Sequence, residues 1–385
     1  MHFNNIYRSS ILLFIRMKKT NKKIEQSTDF VKQLTNYKQI IDADIEKYCD
    51  QVMSESYESF GEYPTEAVKA YCDLLSRGGK RIRGALTMTA YKMLGGTDEQ
   101  VSLEAARAIE MMHAYILMVD DIQDRSEVRR GGPTAHILLK KYHEQHHLKD
   151  DALHFGESIA MNGFLFGSHS ALTVLADLDV DPAYRLAAIK NVNKHFINTA
   201  YGQSLDIFNE VTESADEDAV DKVLLWKTAF YTFANPLQLG AILAGASDRD
   251  LSQLEEYSMH AGRVFQITDD ILGIFSEESS SGKSPLDDIK EGKRTILTVK
   301  SLELAAKSDA YFLEQMLGNK HLTQAEFHRC KDIIEDSGAL GYAQKKAKDS
   351  VVDALASLEG ARNSWGGEEV TFLEQLVQFL INRKA

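Results

Sequence analysis

Residues 114–124 read AYILMVDDIQD, an apolar run that ends in a cluster of aspartates. The run belongs to a longer stretch, 101–124, whose apolar residues recur at the spacing of a helix. Aspartates on a buried helix cost free energy unless they are paired or bind a metal. Asp120 and Asp124 are four residues apart, and His113 lies seven residues before Asp120, so the three share one helical face. The stretch therefore predicts a buried helix that carries a polar site.

The rest of the chain reads as a succession of further amphipathic helices. Five prolines and 24 glycines are few for 385 residues, which favours long, uninterrupted helices. Alternating strand-like runs are absent from the sequence. Besides 101–124, helices are predicted over 29–60, 64–76, 157–178, 183–210, 218–245 with a kink at Pro236, 249–277, 288–306, 309–316, 323–336, 338–358 and 368–382. We expect an all-α bundle in one domain, residues 29–385, with a Ser/Gly/Glu-rich loop over 276–285.

Residues 1–28 are expected to form a basic tail outside this domain. Residues 1–23 contain six Lys and Arg residues and no acidic residue. The apolar run 11–15 is much shorter than the roughly 20 residues that span a bilayer, so no transmembrane segment is predicted. We expect a mobile tail or a true start at Met17, with a weak contact to a membrane surface as the alternative.

Composition narrows the class of protein further. A formal net charge of −13 argues against nucleic acid as a partner. Cys49, Cys72 and Cys330 follow no metal-binding or disulfide spacing, which favours a reducing, cytoplasmic location.

A second acidic pair, Asp269 and Asp270, lies in the predicted helix 249–277. Carboxylates that face each other bind a divalent metal, and magnesium is usually held by one or two of them together with substrate phosphates. The alternative is a di-iron carboxylate bundle. Such a bundle needs paired Glu-x-x-His motifs, and the sequence contains two such spacings. Glu110 with His113 and Glu144 with His147 have that spacing, but residues 140–147 show no apolar face to bury.

Basic residues accompany the acidic pairs and indicate the class of ligand. Residues 78–84 read GGKRIRG; the glycines allow close backbone approach, and the helix start that follows attracts anions. Lys80 and Arg83 lie on one side of its first turn. Arg129 and Arg130 supply planar donors suited to phosphate oxygens. Lys227-Thr228 adds a cation and a hydroxyl group, and Lys283 and Lys293 are further cations. Together these features predict a magnesium-dependent site for a diphosphate.

In this order, the motifs resemble those of the trans-isoprenyl diphosphate synthases, the polyprenyl synthetase family. They are GKxxR at 79–83, DDxxD at 120–124 with RRG at 129–131, GQxxD at 202–206, KT at 227–228 and FQxxDD at 265–270. The resemblance runs from about residue 40 to the C-terminus. It implies an all-α isoprenoid-synthase fold, usually a homodimer, around a deep cavity in which isopentenyl diphosphate is added to an allylic diphosphate.

The resemblance also implies a role for each matching residue. Isopentenyl diphosphate would be held by Lys80, Arg83, His113 and Arg130. Three magnesium ions that clamp the allylic diphosphate would be bound by Asp120, Asp124 and Asp269. The clamp would be completed by Arg129, Lys227 and Lys283, with Lys293 in the same basic group. Thr228 and Gln266 would face the reacting carbons.

The chain departs from the family pattern at Gly273, where the strict second motif has aspartate. Val119 also replaces a more usual polar or bulkier residue, and Gly163-Phe164-Leu165 stands where the family has Gly-Asp. Tyr115, five residues before the first aspartate, and Ile116 would form the floor of the chain cavity. A bulky aromatic residue there implies a product of C15–C20, and the lack of a two-residue insertion in the first motif favours C20, geranylgeranyl diphosphate. Because a helical wheel places Tyr115 off the Asp120 face, a purely structural role for Tyr115 stays open.

Three other functions stay open beside farnesyl diphosphate (C15) synthesis. A longer-chain synthase would have a small residue in place of Tyr115. A class I terpene cyclase would carry an Asn-Asp-x-x-Ser-x-x-x-Glu motif, which the sequence lacks, and would not use Lys80 and Arg83. A non-catalytic subunit of a heteromeric synthase would have lost motif residues.

Overall fold

The fold is a bundle of helices, as the sequence predicts. The computed structural model describes residues 3–212, 216–276 and 286–383, with side chains from Asp29 onward except that of Asp287. The α-helices are α1 Phe3–Phe60, α2 Glu62–Ser76, α3 Ile82–Met93, α4 Glu99–Gln123, α5 Ala135–Gln145, α6 Ala152–Asp177, α7 Pro182–Thr212, α8 Glu217–Val223, α9 Asn235–Leu243, α10 Asp248–Phe275, α11 Asp287–Glu291, α12 Ile296–Leu304, α13 Lys307–Met316, α14 Gln324–Asp336, α15 Ala339–Glu359 and α16 Gly367–Ile381.

One short hairpin interrupts the helices. Strand β1, Val128–Arg129, pairs antiparallel with β2, Gly132–Pro133. Arg130 and Gly131 between them have φ of 53° and 73°, and two consecutive left-handed residues form the tight turn typical of a two-residue hairpin. The prediction that strands are absent is therefore wrong at this hairpin, which is too short to show an alternating pattern.

Two predicted helices are divided in the structure. The segment 218–245 is not one kinked helix, because a π-helical segment, Leu224–Ala234, joins α8 to α9, and Pro236 lies in the first turn of α9. The segment 288–306 is divided into two helices. Helix α11 ends at Glu291 and is followed by Gly292, whose φ of 82° suits a glycine after a helix, and α12 begins at Ile296.

The structure adds a helix, α5, that the sequence analysis did not predict. It packs against α6, which begins at Ala152 rather than at residue 157. His136, Leu139 and His143 are buried on its inner face. Within residues 140–147 only His143 is buried, and Glu144 and His147 are exposed, so this stretch has no apolar face, as the sequence indicates.

The core consists of three apolar clusters that meet along the central helices. The first joins α4 to α2, α6 and parts of α1 and α7. The second joins α3 and α9 to α10, α15 and α16, and the third surrounds the C-terminal half of α10 with α11–α15. Helix α4 contacts α3 and α6 extensively, so the aspartates at its end lie in the middle of the bundle.

Helix α6 is apolar on more than its packed side. Among the described residues it alone is long and apolar enough to cross a membrane by length and composition. Its small residues Gly156, Ala160, Gly163, Gly167 and Ala171 are buried in the bundle, which accounts for part of this composition. Of its larger apolar side chains, Leu153, Met161 and Leu165 are exposed.

Candidate active site

A cavity of about 2170 Å³ opens between α3, α4, α7, the π-helical segment, α10 and α16. It brings together all of the predicted site residues that the structure describes. They are Lys80, Arg83, His113, Tyr115, Ile116, Asp120, Asp124, Arg129, Arg130, Lys227, Thr228, Gln266, Asp269 and Lys293. Lys283 lies outside the described residues.

The first acidic cluster stands at the end of α4. Asp124 follows the last helical residue, and its N–H donates to the Asp120 carbonyl at 2.8 Å, so the two remain one turn apart. Arg129 from the hairpin reaches the Asp120 carboxylate at 3.0 Å and the buried Asp121 carboxylate at 2.5 Å. Burial and the charge of Asp120 raise the pKa of Asp124. Lys293 and Lys227 act in the opposite direction without offsetting this effect, so a further cation near Asp124 would be stabilised.

The second acidic cluster lies on α10. Burial, together with Asp288 and Asp269, raises the pKa of Asp270 to about 8, although a 2.8 Å hydrogen bond from Gln266 acts in the opposite direction. Gln266 also accepts a 2.7 Å hydrogen bond from Thr228. Asp269 is directed into the cavity, and burial raises the pKa of its carboxyl group.

Asp288 explains the departure at Gly273. A side chain at position 273 would collide with the Asp288 carboxylate, which comes from α11 and lines the same cavity. The outer carboxylate that the second motif lacks is therefore replaced in space by one from another helix. The sequence analysis missed Asp288, because its proximity depends on how α11 packs.

Two lysines provide positive charge beside the acidic clusters. Lys227 Nζ lies 2.7 Å from Asp206, and the nearby Asp206 and Asp120 raise its pKa despite burial. Lys293 Nζ lies 2.7 Å from Glu291 and 3.4 Å from Asp288, and its pKa is raised in the same way, by Asp288 and Glu291 against burial. Both lysines therefore remain charged at neutral pH.

The opposite side of the cavity is rich in cations and poor in acids. Burial and the nearby Arg383 lower the pKa of Lys80. Burial and the charge of Arg81 lower the pKa of Arg130 to about 10. His113 is half-buried, and loss of hydration together with the charges of Arg83 and Arg130 holds its pKa well below the usual range, so it is neutral at pH 7. Mutually repelling cations around a cavity would be stabilised by a bound anion.

The sequence analysis missed two other residues of this side. Tyr231 hydrogen-bonds His113, and the Arg83 guanidinium lies 4.3 Å from the centre of its ring. Arg383, just after α16, lies 2.9 Å from the Asp269 carboxylate. An aromatic residue in an apolar helix and an arginine near the C-terminus have no distinctive local pattern, so only packing could reveal them.

The donor set fits magnesium better than a softer metal. Asp120, Asp124 and Asp269 offer only oxygen ligands, which magnesium prefers. In the described part of the chain, no three Asp, Glu, His or Cys side chains converge closely enough to hold an ion by themselves. The Glu110–His113 pair therefore does not belong to a metal cluster there, in disagreement with the di-iron alternative. Ligand oxygens would have to complete the coordination of each ion.

The remaining wall of the cavity is apolar and aromatic. Tyr115 packs against Phe164 of α6 at 5.2 Å between ring centres and against Phe196 of α7 at 5.5 Å. All three rings and Ile116 line the cavity. Tyr115 thus faces the same cavity as Asp120, although the helical wheel placed it off that face. A narrow aromatic wall suits a hydrocarbon chain.

Comparison with known proteins identifies the class to which this fold and site belong. The polyprenyl synthetase family model matches residues 65–334. A geranylgeranyl diphosphate synthase of Saccharolobus solfataricus is 32% identical over 81% of this chain and 88% of its own length. A geranylfarnesyl diphosphate synthase of Aeropyrum pernix is 32% identical over 83% of this chain and 95% of its own.

A solved structure supports the same relationship. A geranylgeranyl pyrophosphate synthase of Corynebacterium glutamicum, complexed with isoprenyl diphosphate and magnesium, superimposes with a TM-score of 0.85 at 26% identity. The alignment covers 91% of this chain and 99% of that one. The chain belongs to the polyprenyl synthetase family and is a trans-prenyltransferase.

Proposed function

We propose that the protein adds isopentenyl diphosphate to an allylic diphosphate and releases geranylgeranyl diphosphate. The observation that carries the proposal is the division of one cavity into three parts. Lys80, Arg83 and Arg130 form one part, paired aspartates with lysines form the second, and aromatic rings form the third. These parts suit the diphosphate of isopentenyl diphosphate, the diphosphate of the allylic substrate and the growing chain, respectively.

The allylic diphosphate would bind at the acidic clusters through magnesium. Asp120, Asp124 and Asp269 would hold three ions, the number that the resemblance implies. Bound magnesium supplies Lewis-acid stabilisation of the negative charge on the departing diphosphate. Lys227 and Arg129 supply fixed positive charge at the same place, and Lys283 keeps the role that the sequence predicts for it.

The chain's own residues then orient and protect the reacting groups. Lys80, Arg83 and Arg130 would hold the diphosphate of isopentenyl diphosphate, while neutral His113 can donate or accept a hydrogen bond without adding repulsion. The allylic carbon loses diphosphate, the double bond of isopentenyl diphosphate attacks it, and a proton leaves to the released diphosphate. Thr228 and Gln266 face this region, and the apolar wall excludes water from the cation.

The aromatic wall is the main support for a C20 product. Tyr115, Phe164 and Phe196 close the apolar part of the cavity, so a chain that reaches them stops growing. The relatives include synthases whose names give C20 and C25 products, which favours geranylgeranyl over farnesyl diphosphate. Farnesyl diphosphate remains the second candidate because Tyr115 is bulky.

The working protein would be a homodimer. On α7, Ile197, Tyr201 and Phe208 expose 56%, 64% and 64% of their surface, and on the neighbouring α6, Met161 and Leu165 expose 54% and 50%. Within each helix these residues are spaced by about one or two helical turns, and exposed apolar side chains on neighbouring helices are of the kind that partner subunits cover. A reducing, cytoplasmic location is supported by the three cysteines, which are buried thiols.

An elongation assay tests the function. The protein would be incubated with magnesium, radiolabelled isopentenyl diphosphate and, separately, dimethylallyl, geranyl or farnesyl diphosphate, and product lengths would be measured. We expect C20 to dominate with each primer. Hydrocarbon release without elongation would instead indicate a terpene cyclase, and no reaction with any primer would contradict the enzymatic proposal.

A further inference from the structure

We propose that Glu110 and Arg81 form a buried ion pair that positions the cations for isopentenyl diphosphate. Both residues border the cavity, but the side chains of Arg81 and Glu110 are 1% and 2% exposed and their polar groups bond to protein partners. The inference rests on the proposed function and deepens it, because it identifies positioning residues behind Lys80 and Arg83. It also gives Glu110, one member of the Glu-x-x-His spacing, a role that involves no metal.

Glu110 joins α4 to both ends of the first turn of α3. Its side chain is 2% exposed. One carboxylate oxygen accepts the backbone N–H of Gly84 at 2.9 Å, and the other lies 3.3 Å from Arg81 Nη1. Burying a carboxylate costs free energy unless donors pair with it. Because both donors come from the first turn of α3, the pairing of Glu110 fixes the position of that turn relative to α4.

Arg81 holds the backbone in a conformation that it would otherwise avoid. Its φ and ψ are 50° and 33°, the left-handed region that non-glycine residues rarely occupy. The side chain offsets this cost through Glu110, through Asp42 at 2.7 Å and through the Leu75 carbonyl at 2.7 Å. The contacts lock the start of α3, and they leave the neighbouring Lys80 and Arg83 directed into the cavity.

The same segment also sets the position of Arg130. Gly79 has a φ of 125°, and a side chain there would begin 3.2 Å from the Arg130 guanidinium. Arg130 in turn donates to the Leu74 carbonyl at 3.2 Å. The positions of Lys80, Arg83 and Arg130 therefore all depend on the backbone conformation of this segment. A small shift of that backbone would move three cations away from one diphosphate.

The test compares two ion pairs that α4 makes with neighbouring elements, one buried and one half-buried. Glu110→Gln keeps the side-chain shape but leaves the buried Arg81 facing an amide. Arg107→Met removes a second pair between α4 and α1, Arg107 with Asp44 at 2.9 Å, which does not line the cavity. Both changes should lower the urea midpoint. Only Glu110→Gln should raise the Kd for isopentenyl diphosphate, measured by calorimetry without magnesium, by about tenfold or more.

The kinetic readout separates positioning from general stability. For Glu110→Gln we expect KM for isopentenyl diphosphate to rise in parallel with Kd, while KM for the allylic diphosphate stays within about twofold. Asp42→Asn provides a milder test, because this carboxylate is 32% exposed and Arg81 keeps Glu110. Its Kd for isopentenyl diphosphate should rise by about threefold. If Glu110→Gln does not fold, Asp42→Asn decides the question.

The outcomes separate this inference from the proposed function. A wild-type protein that binds isopentenyl diphosphate and elongates, with folded variants that bind it within twofold of wild type, overturns the inference alone. Equal effects of Arg107→Met and Glu110→Gln on Kd also overturn it, because stability would then explain both. A wild-type protein that neither binds isopentenyl diphosphate nor elongates overturns the proposed function and the inference with it.

Discussion

His195 is buried away from the cavity lining and should make stability depend on pH. Gln238 donates from its amide nitrogen to Leu251, so its oxygen accepts the His195 Nε2–H at 2.8 Å. No partner among the described residues reaches His195 Nδ1. Burial lowers the pKa of His195, although the hydrogen bond to Gln238 acts in the opposite direction. The folded protein therefore holds this histidine neutral.

The expected pH dependence follows from that direction. The unfolded chain takes up a proton below pH about 6.5, while the folded site resists it, so stability is present above pH 6.5 and falls as the pH falls. Between pH 7 and 5.5 we expect His195→Gln to lose about 1 kcal/mol less unfolding free energy than wild type, measured in urea. Equal losses in the two proteins would contradict the prediction.

Tyr115 should limit the length of the product. Tyr115→Ala removes the ring that packs on Phe164 and Phe196, which opens space beyond the apolar wall. We expect a shift of products beyond C20, detected by chromatography of the dephosphorylated alcohols. Phe166→Ala is a matched control on α6, since Phe166 packs on Tyr71 and does not line the cavity. Unchanged product length in Tyr115→Ala would exclude Tyr115 as the floor.

At the scale of elements, the site depends on the close packing of α7 against the π-helical segment. A π-helical turn widens the helix and is often found at functional sites. Here it presents Lys227, Thr228 and Tyr231 to the cavity. Gly202 on α7 permits this approach, because a side chain there would begin 2.5 Å from the Lys227 backbone nitrogen.

Gly202→Ala should therefore disturb both stability and activity. We expect a loss of about 1–3 kcal/mol from overpacking and roughly a tenfold lower kcat, because Lys227 moves with its backbone. Gly341→Ala on α15 is the control, since nothing lies within 4 Å of the added carbon. It should be neutral or stabilise by up to about 1 kcal/mol. Unfolding in urea and steady-state rates measure both effects, and full activity in Gly202→Ala would contradict the prediction.

At the scale of the whole molecule, the metal and the diphosphate should bind together. No three metal-ligating side chains converge among the described residues, so each ion needs oxygens from the ligand. We expect magnesium alone to raise Tm only slightly, and magnesium with inorganic diphosphate to raise it by more than the sum of the separate effects. Asp124→Asn should lose this synergy. A full increase with magnesium alone would show that the protein completes the metal site itself.

Assembly can be tested on the exposed face of α7. Ile197→Asp combined with Tyr201→Asp places two charges in the apolar surface and should convert the proposed dimer to a monomer in sedimentation experiments. Val352→Asp changes a residue of similar exposure, 66%, on α15 and should leave the dimer intact. A dimer that survives both α7 substitutions would place the interface elsewhere.

The sequence by itself determined the helical class and predicted most of the residues that the structure brings together in the cavity. Helical periodicity is a local property, and aspartates such as Asp120 and Asp124 stand out because an apolar helix makes them costly. Motif order then linked residues as distant as Lys80 and Asp269 to one family. Helix α5 and the division of 218–245 were not predicted, because buried histidines and a π-helical turn leave no clear periodic pattern.

Tertiary structure alone decided which residues complete that site. Asp288 takes the place that a side chain at Gly273 would need, and Arg383 meets Asp269 from the far end of the chain. Glu110 has the spacing of a metal ligand, yet it contacts Gly84 and Arg81. Such pairings depend on the docking of helices far apart in the sequence, and no local pattern encodes a distance between two helices.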